Sequence, residues 1–145
     1  MKKNILAVLI SCYLFAACNN TKKTTTAMAT SSIFAGTWEL NYISGLRIAF
    51  DGLYPNKTPA ITFDVVRNRI SGYTSCNNFT CSLKTDGNKI SFTDPMALTR
   101  MICIDCNGEN VFLETIKKIN TWSVTDGNTL NLIMDDIALM RFTKR

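Results

Sequence analysis

From Gly36 onward the chain alternates apolar and polar residues in short runs divided by turn residues. Trp38, Leu40 and Tyr42 alternate with Thr37, Glu39 and Asn41, which predicts a half-buried strand with the first set inward. Residues 45–56 are irregular, with Leu46, Ile48 and Phe50 spaced as a short second strand. After Pro59, Ile61, Phe63 and Val65 alternate with Thr62 and Asp64; Arg67-Asn68 forms the turn and residues 69–74 return. Gly72 inside that return marks a bend or a close backbone approach. A strand over Phe79–Lys84 leads into Thr85-Asp86-Gly87-Asn88, a hairpin signal because Asp-Gly accepts positive backbone angles. Residues 89–93 follow, and Pro95 closes that run.

The period then changes. Phe112, Leu113, Ile116 and Ile119 share one helical face, while Glu114, Lys117 and Lys118 lie away from it. Asn107 is placed to cap this helix, and Glu109 in the first turn suits the helix dipole. Strand patterns resume over 121–124, 129–134 and 137–142, with Thr125-Asp126-Gly127-Asn128 repeating the earlier turn chemistry. The predicted fold is mainly β: a small curved antiparallel sheet of about eight strands closing toward a barrel, with one packed α-helix over roughly residues 109–119.

The first 32 residues break this pattern. Lys2 and Lys3 precede an apolar run over residues 5–17 that is too short to span a bilayer and suits a signal-peptide core. It ends in Leu14-Phe15-Ala16-Ala17-Cys18, which resembles the bacterial lipoprotein box, where the signal is cut before a cysteine that then carries lipid. The expected organisation is a signal peptide over 1–17, a lipidated Cys18 with a polar tether over 18–32, and one domain over 33–145. An acylated Cys18 needs no transmembrane helix. Asn19, where an acidic residue would favour inner-membrane retention, leans the expected location toward the periplasmic face of the bacterial outer membrane.

Charge and composition narrow the function. The formal charge is +5, but removing Lys2, Lys3, Lys22 and Lys23 from the 16 basic residues leaves the domain one charge above its 11 acidic ones. No basic stripe with interleaved aromatics marks a nucleic-acid surface. The sequence has no histidine, which removes Ser-His and Cys-His nucleophile pairs, histidine metal ligands and a histidine base. The acidic residues show no spacing of an acid/base pair. No catalytic residue, cofactor or metal is therefore assigned.

Four of the six cysteines fall at Cys76, Cys81, Cys103 and Cys106. Export favours two disulfides, but four cysteines allow three pairings and spacing does not choose. A Cys76–Cys103 bridge would be worth about 3 kcal/mol on the chain-entropy model. Alternatives are a four-cysteine zinc site, a redox pair of Cys103 and Cys106 just before the helix, and one bridge with two free thiols. Asn77 and Asn78 suit turn geometry, and Arg100 suits a partly buried pairing; together the three also form a candidate recognition surface. Trp38 and Trp122 are expected in the core, and Asp135-Asp136 in a solvated turn.

The order of Gly36-Thr37-Trp38-Glu39-Leu40, Gly72, Cys76-Asn77-Asn78-Phe79, Ile90-Ser91-Phe92, Thr99-Arg100-Met101 with Cys103, and Glu109 with Phe112-Leu113 resembles the META domain family. That family is also called HslJ-like, after a heat-inducible bacterial lipoprotein. The resemblance covers nearly all of 33–145. It implies a small barrel-like fold with a packed helix in the bacterial envelope, with no established enzyme activity. Its two recurrent cysteines match Cys76 and Cys103, which favours that bridge. The chain departs from the family at Ser75 and Ile102, where Gly and Ala are common, and at Cys81 and Cys106. The two extra cysteines suggest an added Cys81–Cys106 bridge. The expected function is a non-catalytic envelope lipoprotein, an interaction or stress-protective module held through Cys18. Its partner would be the membrane together with an unidentified envelope protein or a small apolar ligand. A ligand-binding barrel and a thiol–disulfide protein using Cys103 and Cys106 are the alternatives.

Overall fold

A computed structural model of the chain describes residues 32, 33, 35–45, 48–104 and 107–145. The signal peptide, Cys18, nearly all of the tether and Cys106 lie outside the described residues.

Ten strands form one sheet. They are β1 (Gly36–Ile43), β2 (Ala60–Asp64), β3 (Arg69–Tyr73), β4 (Asn78–Ser82), β5 (Lys84–Asp86), β6 (Lys89–Ser91), β7 (Ala97–Leu98), β8 (Thr121–Thr125), β9 (Thr129–Met134) and β10 (Ile137–Lys144). Among the described residues the helices α1 (Phe50–Leu53) and α2 (Asn107–Ile116) accompany them. The order across the sheet is β5-β6-β8-β9-β10-β1-β2-β3-β4-β7, with antiparallel neighbours throughout. Strands β4 and β5 stand near opposite ends of that order, yet only Leu83 separates them in the chain. The sheet therefore has to curl until its ends meet, and it forms a half-barrel. Leu83 is buried at the junction, and its N–H donates to the Asn68 carbonyl at 2.9 Å.

The turns follow the expected chemistry. Asn68, Asp126 and Asp135 take positive φ, as do Gly87 and Gly127. These are tight-turn positions that Asn, Asp and Gly accept at least strain. The Asp64 carboxylate fixes the β2–β3 turn by accepting from Arg67 N–H at 3.0 Å and from its guanidinium at 2.8 Å.

Three expectations are corrected. Tyr42 points outward, because β1 carries a bulge: Leu40 pairs with Phe142, Tyr42 with Arg141, and Asn41 is the extra residue. The bulge reverses the alternation, so Ile43 is buried and Tyr42 exposed. The segment around Ile48 and Phe50 forms the short helix α1 rather than a strand, placing Leu53 in the core. The strand expected over Phe79–Lys84 breaks at Leu83, and β7 was not anticipated.

The core lies between the curled sheet and α2. Trp38, Ile61, Ile70, Leu130, Leu132 and Phe142 reach it from the strands, and Phe112 and Ile116 from the helix. Phe79 and Phe112 bring their ring centroids to 5.8 Å. Burying each of these side chains contributes about 1.5–3 kcal/mol. The helix is shorter than its expected range. It tightens after Ile116 through Lys118 N–H to Thr115 O and Ile119 N–H to Ile116 O, at 3.1 and 3.2 Å, and this turns Ile119 inward.

Gly72 is a close approach. It pairs directly with Phe79, whose ring lies over it. A Cβ there would stand 2.6 Å from the Phe79 ring and closer still to the Ala60 carbonyl oxygen. Backbone cannot yield as a side-chain tip does, so Gly72→Ala is expected to cost about 3 kcal/mol. A urea titration comparing the two midpoints checks this; an unchanged midpoint would show that the β2–β4 packing is loose.

Candidate functional site

The residues with distinctive chemistry converge where the β3–β4 turn, the segment 99–104 and the start of α2 meet. The turn ends β3 at Tyr73, and Ser75 holds φ 104°, a region that favours glycine. Cys76 and Cys103 are joined by a disulfide, with Cα atoms 6.0 Å apart and a sequence separation of 27. This bridge ties the turn to the segment leading into α2.

Beneath the bridge lies Asn77, 5% exposed. Its Oδ1 accepts from Thr99 Oγ1 and from Met101 N–H, both at 2.8 Å. Its Nδ2 donates to Glu109 Oε1 at 3.0 Å and points at the sulfurs of Cys76 and Cys103 at 3.7 and 3.6 Å. Its N–H donates to Glu109 Oε2 at 3.0 Å, and Thr74 Oγ1 also bonds that oxygen. A single amide thus joins the turn, the 99–104 segment and the helix, and Glu109, from the first turn of α2, is its anionic partner. Helix α2 is pressed close at the same end. Gly108 leaves no room for a Cβ, which would stand 2.6 Å from the Leu53 carbonyl oxygen. Tyr54 Oη donates to Gly108 O at 3.2 Å, and burial raises the Tyr54 phenol pKa well above its ordinary value.

Over the outer side of this junction runs a groove of about 360 Å³. Tyr54, Pro55, Lys57, Tyr73, Met101, Ile102 and Ile104 line it beside the disulfide. Lys57 Nζ sits 3.9 Å above the Tyr73 ring, and Tyr73 Oη donates to Ser75 O at 2.5 Å. Met101, Ile102 and Ile104 are 61%, 100% and 106% exposed. Among the described residues Lys57 is the groove's only charged side chain.

The expected recognition surface divides. Asn77 is inside and acts as a structural tie. Asn78 is exposed on β4, where its N–H donates to Thr99 Oγ1 at 3.1 Å. Arg100 is exposed and forms no ion pair among the described residues, so it is not the partly buried pairing expected of it. Trp38 and Trp122 are core, and Asp135-Asp136 is an exposed turn. Sequence reading missed Tyr54, Lys57 and Tyr73, since nothing in the pattern brings α1 beside the disulfide.

The second bridge is also corrected: Cys81 is a free thiol. The strand alternation explains this. Phe79, Cys81 and Leu83 share the inward face, so the thiol points into the core. Burial, with the Asp94 charge added, pushes its pKa up to about 11. Cys103 is bonded to Cys76, which leaves it no free thiol for the alternative redox pair with Cys106. Among the described residues no group of histidine, cysteine or carboxylate side chains is placed to hold a metal.

The META domain model matches residues 31–145. The chain belongs to the META domain family. Its fold is similar to the NMR structure of a protein from Burkholderia xenovorans, with a TM-score of 0.60, 20% identity, and coverage of 89% of this chain and 92% of that one. It is also similar to the crystal structure of a DUF4847 family protein from Bacteroides vulgatus, with a TM-score of 0.54, 16% identity, and coverage of 79% and 96%. At these identities the likeness is one of fold. No curated protein matches the chain significantly. In this META domain the junction of turn, helix and bridge is the part with most polar chemistry, and it is spent on holding the groove's shape.

Asn77→Ala strands the Met101 N–H and one face of Glu109, and is expected to cost about 3 kcal/mol in a urea titration. Asn77→Asp, equal in size, should be no better, because it sets a carboxylate against Glu109 where a donor is required. In non-reducing peptide maps the Cys76 and Cys103 peptides should run joined. Cys81 should resist iodoacetamide at pH 8 until the chain is unfolded, and rapid labelling of folded protein would contradict its burial. The folded thiol titrates above the unfolded one, so its contribution holds below about pH 9 and is lost as pH rises toward 11.

Proposed function

We propose that this META domain is a non-catalytic module of the bacterial envelope, tethered through a lipidated Cys18 and working through the groove beside Cys76–Cys103. The observation that carries the reading is the exposed Met101–Ile104 rim held on a disulfide-braced loop. A loop that served only to connect β7 to α2 gains nothing by showing water two isoleucines. A contiguous exposed apolar patch on a rigid support is the usual mark of a contact surface.

Two features turn the reading away from chemistry. Among the described residues the groove's lining offers no carboxylate and no nucleophile beside a base, and the sequence has no histidine to supply one. A ligand held inside the half-barrel finds its space taken, since Trp38, Phe92, Phe112 and Phe142 fill the interior at 1% exposure or less. Among the described residues no helix is long and apolar enough to cross a membrane, and the proposed attachment is through Cys18. The periplasmic face of the outer membrane is the proposed location, from the box at Cys18 and from Asn19.

The anchor is tested by growing cells with labelled palmitate and separating membranes from soluble protein. The parent chain is expected to carry label and to sediment with membranes. Cys18→Ala should lose the label and appear in the soluble fraction. A variant that stays with the membranes as the parent does would sink the anchor.

A further inference from the structure

Met101, Ile102 and Ile104 are apolar side chains that the fold itself does not use. Their loop is not a loose end. Cys103, between the two isoleucines, is bonded to Cys76, and Asn77 Oδ1 holds Met101 N–H at 2.8 Å. The rim is therefore pushed into water by a fixed backbone. Behind it stand Tyr54 and Tyr73, and Lys57 lies over the Tyr73 ring. Arg100, next to Met101, is exposed and unpaired among the described residues.

An apolar tip backed by the half-buried Tyr73 and flanked by cations matches the layers of a bilayer surface. Aliphatic groups enter the acyl boundary, tyrosine rings sit at headgroup depth, and ammonium and guanidinium groups meet anionic phosphates. A groove meant for a basic or mixed-charge protein partner would need carboxylates, and among the described residues its lining has none. We propose that Met101, Ile102 and Ile104 insert into the surface of an anionic bilayer, with Lys57 and Arg100 against its headgroups. The inference deepens the anchored reading and rests on it for context. Residues 19–31 reach about 45 Å when extended, so an anchor at Cys18 keeps the rim near its own membrane. At the roughly millimolar effective concentration such a link provides, a weak insertion is enough. The domain would then face the membrane with its helix N-terminus and disulfide side.

The test uses the full chain reconstituted with vesicles of phosphatidylcholine, with or without phosphatidylglycerol, carrying brominated acyl chains. Ile102→Trp supplies the reporter; Trp38 and Trp122 are buried at 0% and 6% exposure and act as an internal reference. In phosphatidylglycerol vesicles the Trp introduced at this position is expected to shift to the blue and to lose at least half its emission to bromine. Adding Lys57→Glu and Arg100→Glu should cut that quenching at least twofold. Equal quenching in vesicles without phosphatidylglycerol would overturn the role of the two cations. A reporter left unquenched on a chain that floats with the vesicles would overturn the insertion and leave the anchor standing. A parent chain that does not float, but whose reporter is quenched at high lipid, would overturn the anchor and support the insertion. An unquenched reporter on a chain that self-associates through this face would assign the rim to a second copy instead.

Discussion

One primary amide decides how this domain is put together. Asn77 has two donor hydrogens and an oxygen with two acceptor sites, and its neighbours engage both ends. Its oxygen takes a hydroxyl and a backbone N–H from the 99–104 segment, and its nitrogen meets the Glu109 carboxylate on the helix. Buried polar groups are costly unless partnered, so the arrangement is nearly all-or-none. If the helix shifts, the carboxylate and the amide both lose partners in a place that water does not easily reach. The Cys76–Cys103 bridge sits directly above and limits how far the same segments can separate. Covalent closure and hydrogen bonding thus act on the same three pieces of chain by different physics, one on the unfolded ensemble and one on the native state.

The rest of the architecture brings those pieces within reach. The sheet curls because β4 and β5 are one nearly continuous stretch serving both of its ends. Curling creates a concave face, and α2 fills it with Phe112 and Ile116 rather than leaving a lumen. A packed interior moves any recognition to the rim. There α1, Tyr73 and the braced loop frame a groove whose walls are fixed from below. Backbone economy is visible at two glycines: Gly72 admits the Phe79 ring, and Gly108 admits the Leu53 carbonyl and the Tyr54 ring.

Much of this was legible in the residues, for identifiable reasons. The strand and turn pattern, the helix at Phe112 and Ile116, and the close approach at Gly72 all depend on local periodicity or on residue type. The bulge at Asn41 was not legible, because one inserted residue leaves the composition of β1 unchanged while reversing its faces. Helix α1 was hidden by a spacing of Leu46, Ile48 and Phe50 that suits a strand equally well. Cys81 misled because cysteines in a chain expected to be exported invite pairing, whereas the alternation Phe79, Cys81, Leu83 already placed it inward as a small hydrophobe. Asn77 looked like a turn residue, and its deeper role depends on Glu109, 32 residues away, which only the folded chain reveals. The positive φ at Ser75 is a backbone demand that glycine would meet with least strain and that a serine conceals.

The placement of β1 has a consequence for how such a chain is made. Its two neighbours are β2, close by in sequence, and β10, whose Lys144 pairs with Trp38. A ribosome or a translocation channel delivers Trp38 and Leu40 early and their second partner about a hundred residues later. Until residues 137–144 emerge, the middle of the sheet has an open side and the core lacks Met140 and Phe142. Contacts of such long sequence separation form slowly, because loop closure must precede the gain from pairing. The order of strands therefore works as a delay, keeping the growing chain pliable until its last strand arrives and the whole domain locks in one step.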